Sequence, residues 1–487
     1  MLKFNEKEYL DKLHACWLGK NIGGTIGAPY EFAKEFLDVK GFSSPSGEPL
    51  PNDDLDLQLV WLCAMERVRP AQFSTNSLAE RWMDWLPPHW NEYGICKANL
   101  RQGLLPPMSG EVNNKKWKTS NGAWIRSEIW AAMAPGVMDV AAKYATMDGM
   151  VDHGTSEGTC AEIFTAAMQS YAYVESDLRK IIAEALKKIP EDSKVAQTVN
   201  LVIDCFDKGI PYRQTRDMVL EFNKELGWFQ APGNIGFVAI GLLYGEGDFK
   251  KSVLYAVNCG DDTDCTAGTV GATLGIMHGT SIIPEDWKEY VGDRIITMSI
   301  SGMYYHAIPK TCTELSERVH ALVPEMMVAN RVPFEFTDGA TDFPIEELEN
   351  WNKMTSADYL NFSPYSYLID RYEQLSVRVE LDEEPHVQPG DVRNVKLSVI
   401  SRPAGGFTVT RRLHLKLLLP EGWTVEQYPK NLLLEYPQPK SGKIPGIAVA
   451  EFNVTVGEKT EAINRLYAEL TSDTIPGPVM APIIFLG

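Results

Sequence analysis

Val257-Asn258-Cys259-Gly260-Asp261-Asp262-Thr263-Asp264 is the stretch on which the reading of this chain turns, and it leads through Cys265 into the small residues Ala267-Gly268-Thr269-Val270-Gly271-Ala272. Asp261, Asp262 and Asp264 crowd into four positions, where they repel one another, and the apolar flank makes their desolvation costly. A hard divalent cation relieves both problems, because Mg²⁺, Mn²⁺ and Ca²⁺ prefer oxygen ligands. The spacing is not that of an EF-hand, whose loop alternates acidic residues over about twelve positions. A small-residue helix behind the cluster lets a second helix start approach closely.

The partner for that approach lies far upstream, in Asn52-Asp53-Asp54-Leu55-Asp56, where Pro49-Leu50-Pro51 gives way to the stripe Leu55, Leu59, Leu62. Asn52 reads as an N-cap, with Asp53 and Asp54 in the first helical turn. Carboxylates in a first turn also complement the helix dipole, so this cluster alone has a purely structural explanation. Taken with the second cluster, it predicts one divalent-cation site built from both.

The bulk properties agree. The chain has 487 residues, 44% hydrophobic and 23% charged, a globular composition long enough for one large domain and a smaller one. Its formal net charge of −19 repels phosphate backbones and anionic lipid, so neither nucleic acid nor membrane is expected as a partner. The opening Met1-Leu2-Lys3-Phe4-Asn5-Glu6-Lys7-Glu8 is too charged for a signal-peptide core, and no apolar run reaches the roughly eighteen residues of a membrane span. Cysteines 16, 63, 96, 160, 205, 259, 265 and 312 include no Cys-x-x-Cys pair. Most have apolar flanks, which predicts reduced core thiols and a cytoplasmic setting.

Two regions follow from the apolar periodicity. Up to about residue 330 it is helical, as in Tyr9, Leu10, Leu13, Cys16 and Trp17, and in similar stripes over 55–66, 159–174, 178–188, 195–207 and 266–278. No fixed-period repeat emerges, which argues against a solenoid. Beyond about residue 370 the pattern alternates, in Leu375-Ser376-Val377-Arg378-Val379-Glu380-Leu381 and again near 395–400, 413–417 and 448–454. Turn signals at Pro389-Gly390-Asp391 and Pro420-Glu421-Gly422 separate these runs. The expected organisation is a large all-α domain over 1–330, a connecting segment over 331–370 packed on it, and a small antiparallel β-sandwich of immunoglobulin-like type over 371–487.

At this point the sequence resembles the ADP-ribosylglycohydrolase family, through five motifs in the family's order. Cys16-Trp17-Leu18-Gly19-Lys20-Asn21-Ile22-Gly23-Gly24-Thr25-Ile26-Gly27-Ala28-Pro29-Tyr30-Glu31 is similar to its opening Gly-rich helix ending in a glutamate. Asn52-Asp53-Asp54 resembles its Thr-Asp-Asp metal motif, and Ser120-Asn121-Gly122-Ala123-Trp124-Ile125-Arg126 its Asn-Gly-Ala-x-x-Arg loop. Asp152-His153-Gly154 stands in place of a histidine-bearing substrate loop, and Asn258 to Asp264 in place of Asn-x-Gly-Gly-Asp-Thr-Asp. The resemblance covers roughly residues 8–310.

What the resemblance implies is an all-α domain with two Mg²⁺ or Mn²⁺ ions at the bottom of a cleft, one or two being expected in this chain, hydrolysing the bond at the anomeric carbon of a ribofuranose to release ADP-ribose. By position, the metal ligands would be Asn52, Asp53, Asp54, Asp262, Asp264 and Cys265. Glu31 would act at the leaving group or water, with Asp54 and Asp262 as catalytic partners, and Asn121, Gly122 and His153 would shape the substrate pocket. Arg126 stays outside that set as a buried-pair arginine. The chemistry is coherent: glycosidic cleavage builds oxocarbenium character, and metal ions can hold ribose hydroxyls and activate water.

Departures from the family pattern sit in the site itself. Asn52 replaces a threonine, Cys265 stands where a hydroxyl is usual, and Gly24 replaces a common aspartate. Asp56 and Asp261 are acidic where the family is not, which suggests extra carboxylates that compensate for the lost hydroxyl. Among the aromatics, Trp82 and Trp85 read as core, whereas Trp90, Tyr93 and Trp117 lie in loop-like sequence suited to stacking on a sugar or base. Two further functions stay open: a glycosidase for nucleosides, other furanosides or small oligosaccharides, and a non-catalytic relative that keeps only the scaffold.

Overall fold

The computed structural model describes residues 1–43, 48–372, 374–402, 410–435 and 446–487. They form two compact units, Met1–Gly94 with Asn114–Asn361, and Ile95–Asn113 with Phe362–Gly487.

The first unit is helical. Its opening helix, Glu6–Gly27, is capped by the Asn5 side chain, which accepts from Glu8 N, and Glu6 and Glu8 complement the dipole in the first turn. Every residue from Ala15 to Gly27 is buried, as is every residue from Thr263 to Met277 of the helix Thr263–His278. Helices buried all round need small residues where they meet. A Cβ on Gly19 would lie 2.2 Å from the Gly271 carbonyl oxygen, one on Gly23 2.2 Å from that of Ala267, and one on Gly27 2.3 Å from that of Thr263. The glycines recur every fourth residue, so they line one face of the helix. The two backbones run antiparallel in contact, and the end of the first helix arrives beside the start of the second.

Residues 331–361 belong to this helical unit. Phe334–Thr337 pairs in parallel with Leu2–Asn5, and the buried Lys188 Nζ holds the carbonyls of Asn352 (2.6 Å) and Met354 (2.8 Å) while ion-pairing with Asp139 at 2.6 Å. Among the described residues no helix is long and apolar enough to cross a membrane.

The second unit contains a four-stranded sheet, in the order Val479–Leu486, Ile463–Thr471, Arg411–Leu418, Asn431–Leu434. Its five-stranded sheet runs Ser366–Ile369, Leu375–Leu381, Val392–Ser401, Ile447–Thr455, Thr424–Val425. All pairings are antiparallel. Strict alternation along Ile447–Thr455 turns Ala448, Ala450, Phe452 and Val454 inward. Val379, Leu397, Leu413, Leu466, Ile483 and Phe485 from both sheets share one core. Residues 95–113, which periodicity alone assigns to the helical region, contribute Leu104, Met108 and Val112 to that same core. Their loop is closed locally by Asn99 Nδ2, which donates to the carbonyls of Ser109 (2.9 Å) and Val112 (2.6 Å). A helix signal says that an apolar face exists; it does not say which core receives it.

Candidate metal centre

Both acidic clusters lie at helix starts. Asn52 caps the helix Asp53–Val68, its Oδ1 accepting from Asp54 N at 2.7 Å, while its Nδ2 reaches Asp264 Oδ2 at 3.4 Å. One amide therefore ties the two clusters together. The glycine at 24 makes this possible, because a Cβ there would sit 2.4 Å from Asn52 Nδ2. The two departures at 24 and 52 are thus a matched pair.

Asp262 ends the loop before Thr263–His278, and Asp264 and Cys265 lie in that helix's first turn. Thr263 Oγ1 donates to the Gly27 carbonyl at 2.8 Å, which pins this start against the end of the opening helix, close to Glu31. Among the described residues two groups bring ligand atoms within 4.8 Å of one another: Glu31, Asp262 and Asp264, and Asp54, Asp264 and Cys265. Asp264 belongs to both. Asp53 is outside these groups; it is half-buried, with the Tyr93 hydroxyl 3.4 Å from its Oδ2.

The electrostatics are those of a site short of positive charge. Burial, then the Asp264 and Asp54 carboxylates, pushes Glu31 up to about 8. Burial and Asp54 bring Asp264 to about 6. Asp53 and Asp262 are held well above the ordinary carboxylate range, by burial first and neighbouring carboxylates second. Asp264 Oδ1 is buried and, among the described residues, receives no hydrogen bond. Oxygen donors, mutual repulsion and an orphaned buried carboxylate oxygen fit a hard divalent cation. Cys265 fits it poorly: its sulfur is soft, and its thiol donates to Asp54 Oδ1 at 3.1 Å.

Asn121 comes directly to the centre. Its Nδ2 donates to Asp262 Oδ2 at 2.7 Å, and its Oδ1 accepts from Trp124 Nε1 at 3.1 Å. Gly122 leaves room for a carboxylate, since a Cβ there would lie 2.2 Å from Glu92 Oε1. His153 is fully buried beneath this loop, with Nε2 3.1 Å from Ser120 Oγ and Nδ1 3.1 Å from Asp152 Oδ1. Its bond to Ser120 lies one residue before Asn121, the residue that bonds Asp262. Arg126 is the buried-pair arginine the sequence suggests: it donates to Asp148 (3.0 Å), to both oxygens of Asp152 (2.7 and 3.1 Å) and to the Gly122 carbonyl. Burial would raise the Asp152 carboxyl, but Arg126 and His153 outweigh it and hold it down near about 2.

The two extra carboxylates have other duties. Asp56 Oδ2 accepts from Met298 N (2.8 Å), Ser299 N (2.6 Å) and Ser299 Oγ (2.8 Å), anchoring a loop. Asp261 accepts from Phe229 N (3.1 Å) and Asn234 Nδ2 (2.9 Å), and its own backbone joins Ala33 and Phe32. Neither belongs to the two groups above, so the idea that they compensate for the lost hydroxyl finds no contact to support it. Tyr93 is core rather than rim, edge-on to Trp82 at 4.6 Å. Trp90 is exposed, and Trp117 is half-buried under Lys116 at 4.3 Å.

Sequence reasoning missed Lys20, whose ammonium lies 3.2 Å from Asp54 Oδ2. The signal was present: Lys20 is the single charged residue in the run Ala15–Gly27, between Gly19 and Gly23.

Three comparisons bear on this geometry. The family model described as ADP-ribosylglycohydrolase matches residues 5–322. Among curated relatives, an uncharacterized protein of Archaeoglobus fulgidus is 22% identical over 61% of this chain and 96% of its own length. The ADP-ribosylarginine hydrolase Tri1 of Pseudomonas putida is 22% identical over 58% of this chain and 75% of its own, and that of Serratia proteamaculans 21% over 63% and 82%. A solved structure titled ADP-ribosylglycohydrolase-related protein complex aligns with 66% of this chain and 100% of its own, at 18% identity and a TM-score of 0.44. By the match over residues 5–322, this chain belongs to the ADP-ribosylglycohydrolase family.

Proposed function

We propose that this chain is a divalent-metal-dependent glycohydrolase that cleaves an ADP-ribosyl group from its acceptor at the anomeric carbon of the ribofuranose. The observation that carries the reading is the convergence of Glu31, Asp262 and Asp264 within 4.8 Å, with Asn121 bonded to Asp262. Asp262 and Asp264 would hold Mg²⁺ or Mn²⁺, which supplies ribose-hydroxyl binding and water activation when bound. The other duties fall to this chain's own groups. Glu31 is the half-buried member, and its carboxyl beside Asp262 and Asp264 is placed to take a proton from the water or return one to the leaving group. Asn121 orients Asp262, and Arg126 with His153 stiffens the loop that carries Asn121 and Gly122. The named relatives that hydrolyse ADP-ribosylarginine support an ADP-ribosyl substrate.

The test is hydrolysis by the full chain, with Mn²⁺ or Mg²⁺, of ADP-ribosylated peptides, ADP-ribose derivatives, nucleosides and pentofuranosides. Release of ADP-ribose that Glu31→Gln reduces at least about 100-fold is the expected result. Sugar release from simple furanosides alone would replace the substrate assignment, and inactivity on every compound would refute the enzymatic reading.

A further inference from the structure

We propose that Lys20 is a built-in cation that holds the Asp54 side of the acidic centre, so that this centre binds one divalent ion where its carboxylates would otherwise take two. The inference rests on the metal-dependent reading above and concerns how many ions the centre admits.

Three observations carry it. First, the ammonium is fully inside the protein: Lys20 is 1% exposed, and its Nζ lies 2.7 Å from the Ile125 carbonyl, 3.3 Å from Glu128 Oε1 and 3.2 Å from Asp54 Oδ2. The helices Glu6–Gly27 and Asp53–Val68 and the buried Glu128 all converge on this one charge. Glu128 is itself fixed, accepting from Gln58 Nε2 at 2.9 Å and Gln169 Nε2 at 3.1 Å, so it cannot swing away and release the lysine. Second, the slot is shaped for this side chain. A Cβ at Gly268 would come within 3.1 Å of Lys20 Cδ, so the glycine leaves the aliphatic stem its path to Asp54.

Third, the ligand group on that side depends on Asp54. Besides Asp54 and Asp264 it offers only Cys265, whose thiol already donates to Asp54 Oδ1 at 3.1 Å. Asp54 therefore has one oxygen facing an ammonium and the other accepting from sulfur. A second divalent ion would have to break the ion pair, displace the thiol and sit against a buried like charge. The group of Glu31, Asp262 and Asp264 offers oxygen ligands throughout and has no lysine among its hydrogen-bond partners among the described residues. The single ion belongs there.

The test counts ions directly. The full chain is equilibrated with Mn²⁺ and desalted, manganese per chain is measured by mass spectrometry, and the spin state by X-band EPR. Wild type is expected to bind one Mn²⁺ with the six-line spectrum of an isolated ion. Lys20→Met is expected to rise toward two with a spin-coupled spectrum, and Cys265→Ser alone to stay at one. Two coupled ions in wild type would overturn the proposal and leave the glycohydrolase reading intact, and that measurement does not depend on any variant folding. Two ions in Cys265→Ser, or one in Lys20→Met, would also overturn it, by assigning the exclusion to another group. No manganese in wild type would refute it together with the metal-dependent reading, whereas one ion without hydrolysis would support it and count only against the activity.

Discussion

Gly23→Ala should separate the two helices that assemble the acidic centre. The new Cβ would lie 2.2 Å from the Ala267 carbonyl oxygen, 2.3 Å from its carbon and 2.4 Å from Gly268 N. Unstrained non-bonded contacts are about 3.5 Å, so the backbones must part by roughly 1 Å. Overpacking costs about 1–3 kcal/mol, and the upper end applies because the obstacle is backbone with no rotamer to change. Alanine returns about 1 kcal/mol in helix propensity, leaving a net loss of about 2 kcal/mol. At about 2.1 cal/mol/K per residue, a helical unit of this size should lose about 3 °C in Tm. Activity should fall further than stability, because a 1 Å misplacement of catalytic groups costs roughly 100-fold. Thermal unfolding and ADP-ribose release by the purified variant with Mn²⁺ measure both. Gly233→Ala is the control: its Cβ meets nothing within 4 Å in the helix Ala231–Gly245, so it should match wild type or exceed it slightly. Equal behaviour of the two variants would refute the close-packing argument.

Other outcomes follow from the same geometry. Arg126→Met leaves Asp148 and Asp152 buried without their cation and should cost about 3–5 kcal/mol in denaturant unfolding; near-wild-type stability would contradict the buried ion-pair account. Asp261→Ala should cost about 1–3 kcal/mol by orphaning Phe229 N and Asn234 Nδ2, yet leave the Mn²⁺ content unchanged; loss of metal would make Asp261 a ligand after all. In the metal-free protein, folded pKa values of about 6 at Asp264 and about 8 at Glu31 lie above ordinary carboxyl values. These groups therefore favour the fold fully below about pH 4, and their contribution is lost as pH rises through 6 and 8. Thermal scans should show the metal-free chain less stable at pH 8 than at pH 5, with Mn²⁺ at about 100 times its Kd restoring about 2.7 kcal/mol at pH 8. A flat pH response without metal would count against the charge-crowded centre.

The convergence of Asp54 with Asp262 and Asp264 was legible because crowded carboxylates at helix starts demand compensation wherever they are. The strands were legible because alternation, as in Leu375–Leu381, fixes which face is buried. Asp56 and Asp261 misled because a carboxylate can be neutralised by backbone N–H groups as well as by a cation. Those donors, at 298–299 and 229, come from loops whose approach no local pattern encodes. Gly24 stood only as a departure from a common aspartate; the distance to Asn52 explains it. Lys20 was visible as an anomaly in the glycine stripe, but its partner Glu128 lies more than a hundred residues away.

Because Ile95–Asn113 lies in the unit completed by Phe362–Gly487, the chain passes between units at 94, 113 and 361. During synthesis Leu104, Met108 and Val112 leave the ribosome long before the strand Val479–Leu486 that completes their core. At about 5–20 residues per second that interval is roughly 20–70 s. For that time three apolar side chains are without the strands that complete their core, a natural landing place for a chaperone. The same topology makes the β unit inseparable by truncation: ending the chain at 361 would strand its first nineteen residues inside the helical unit's sequence.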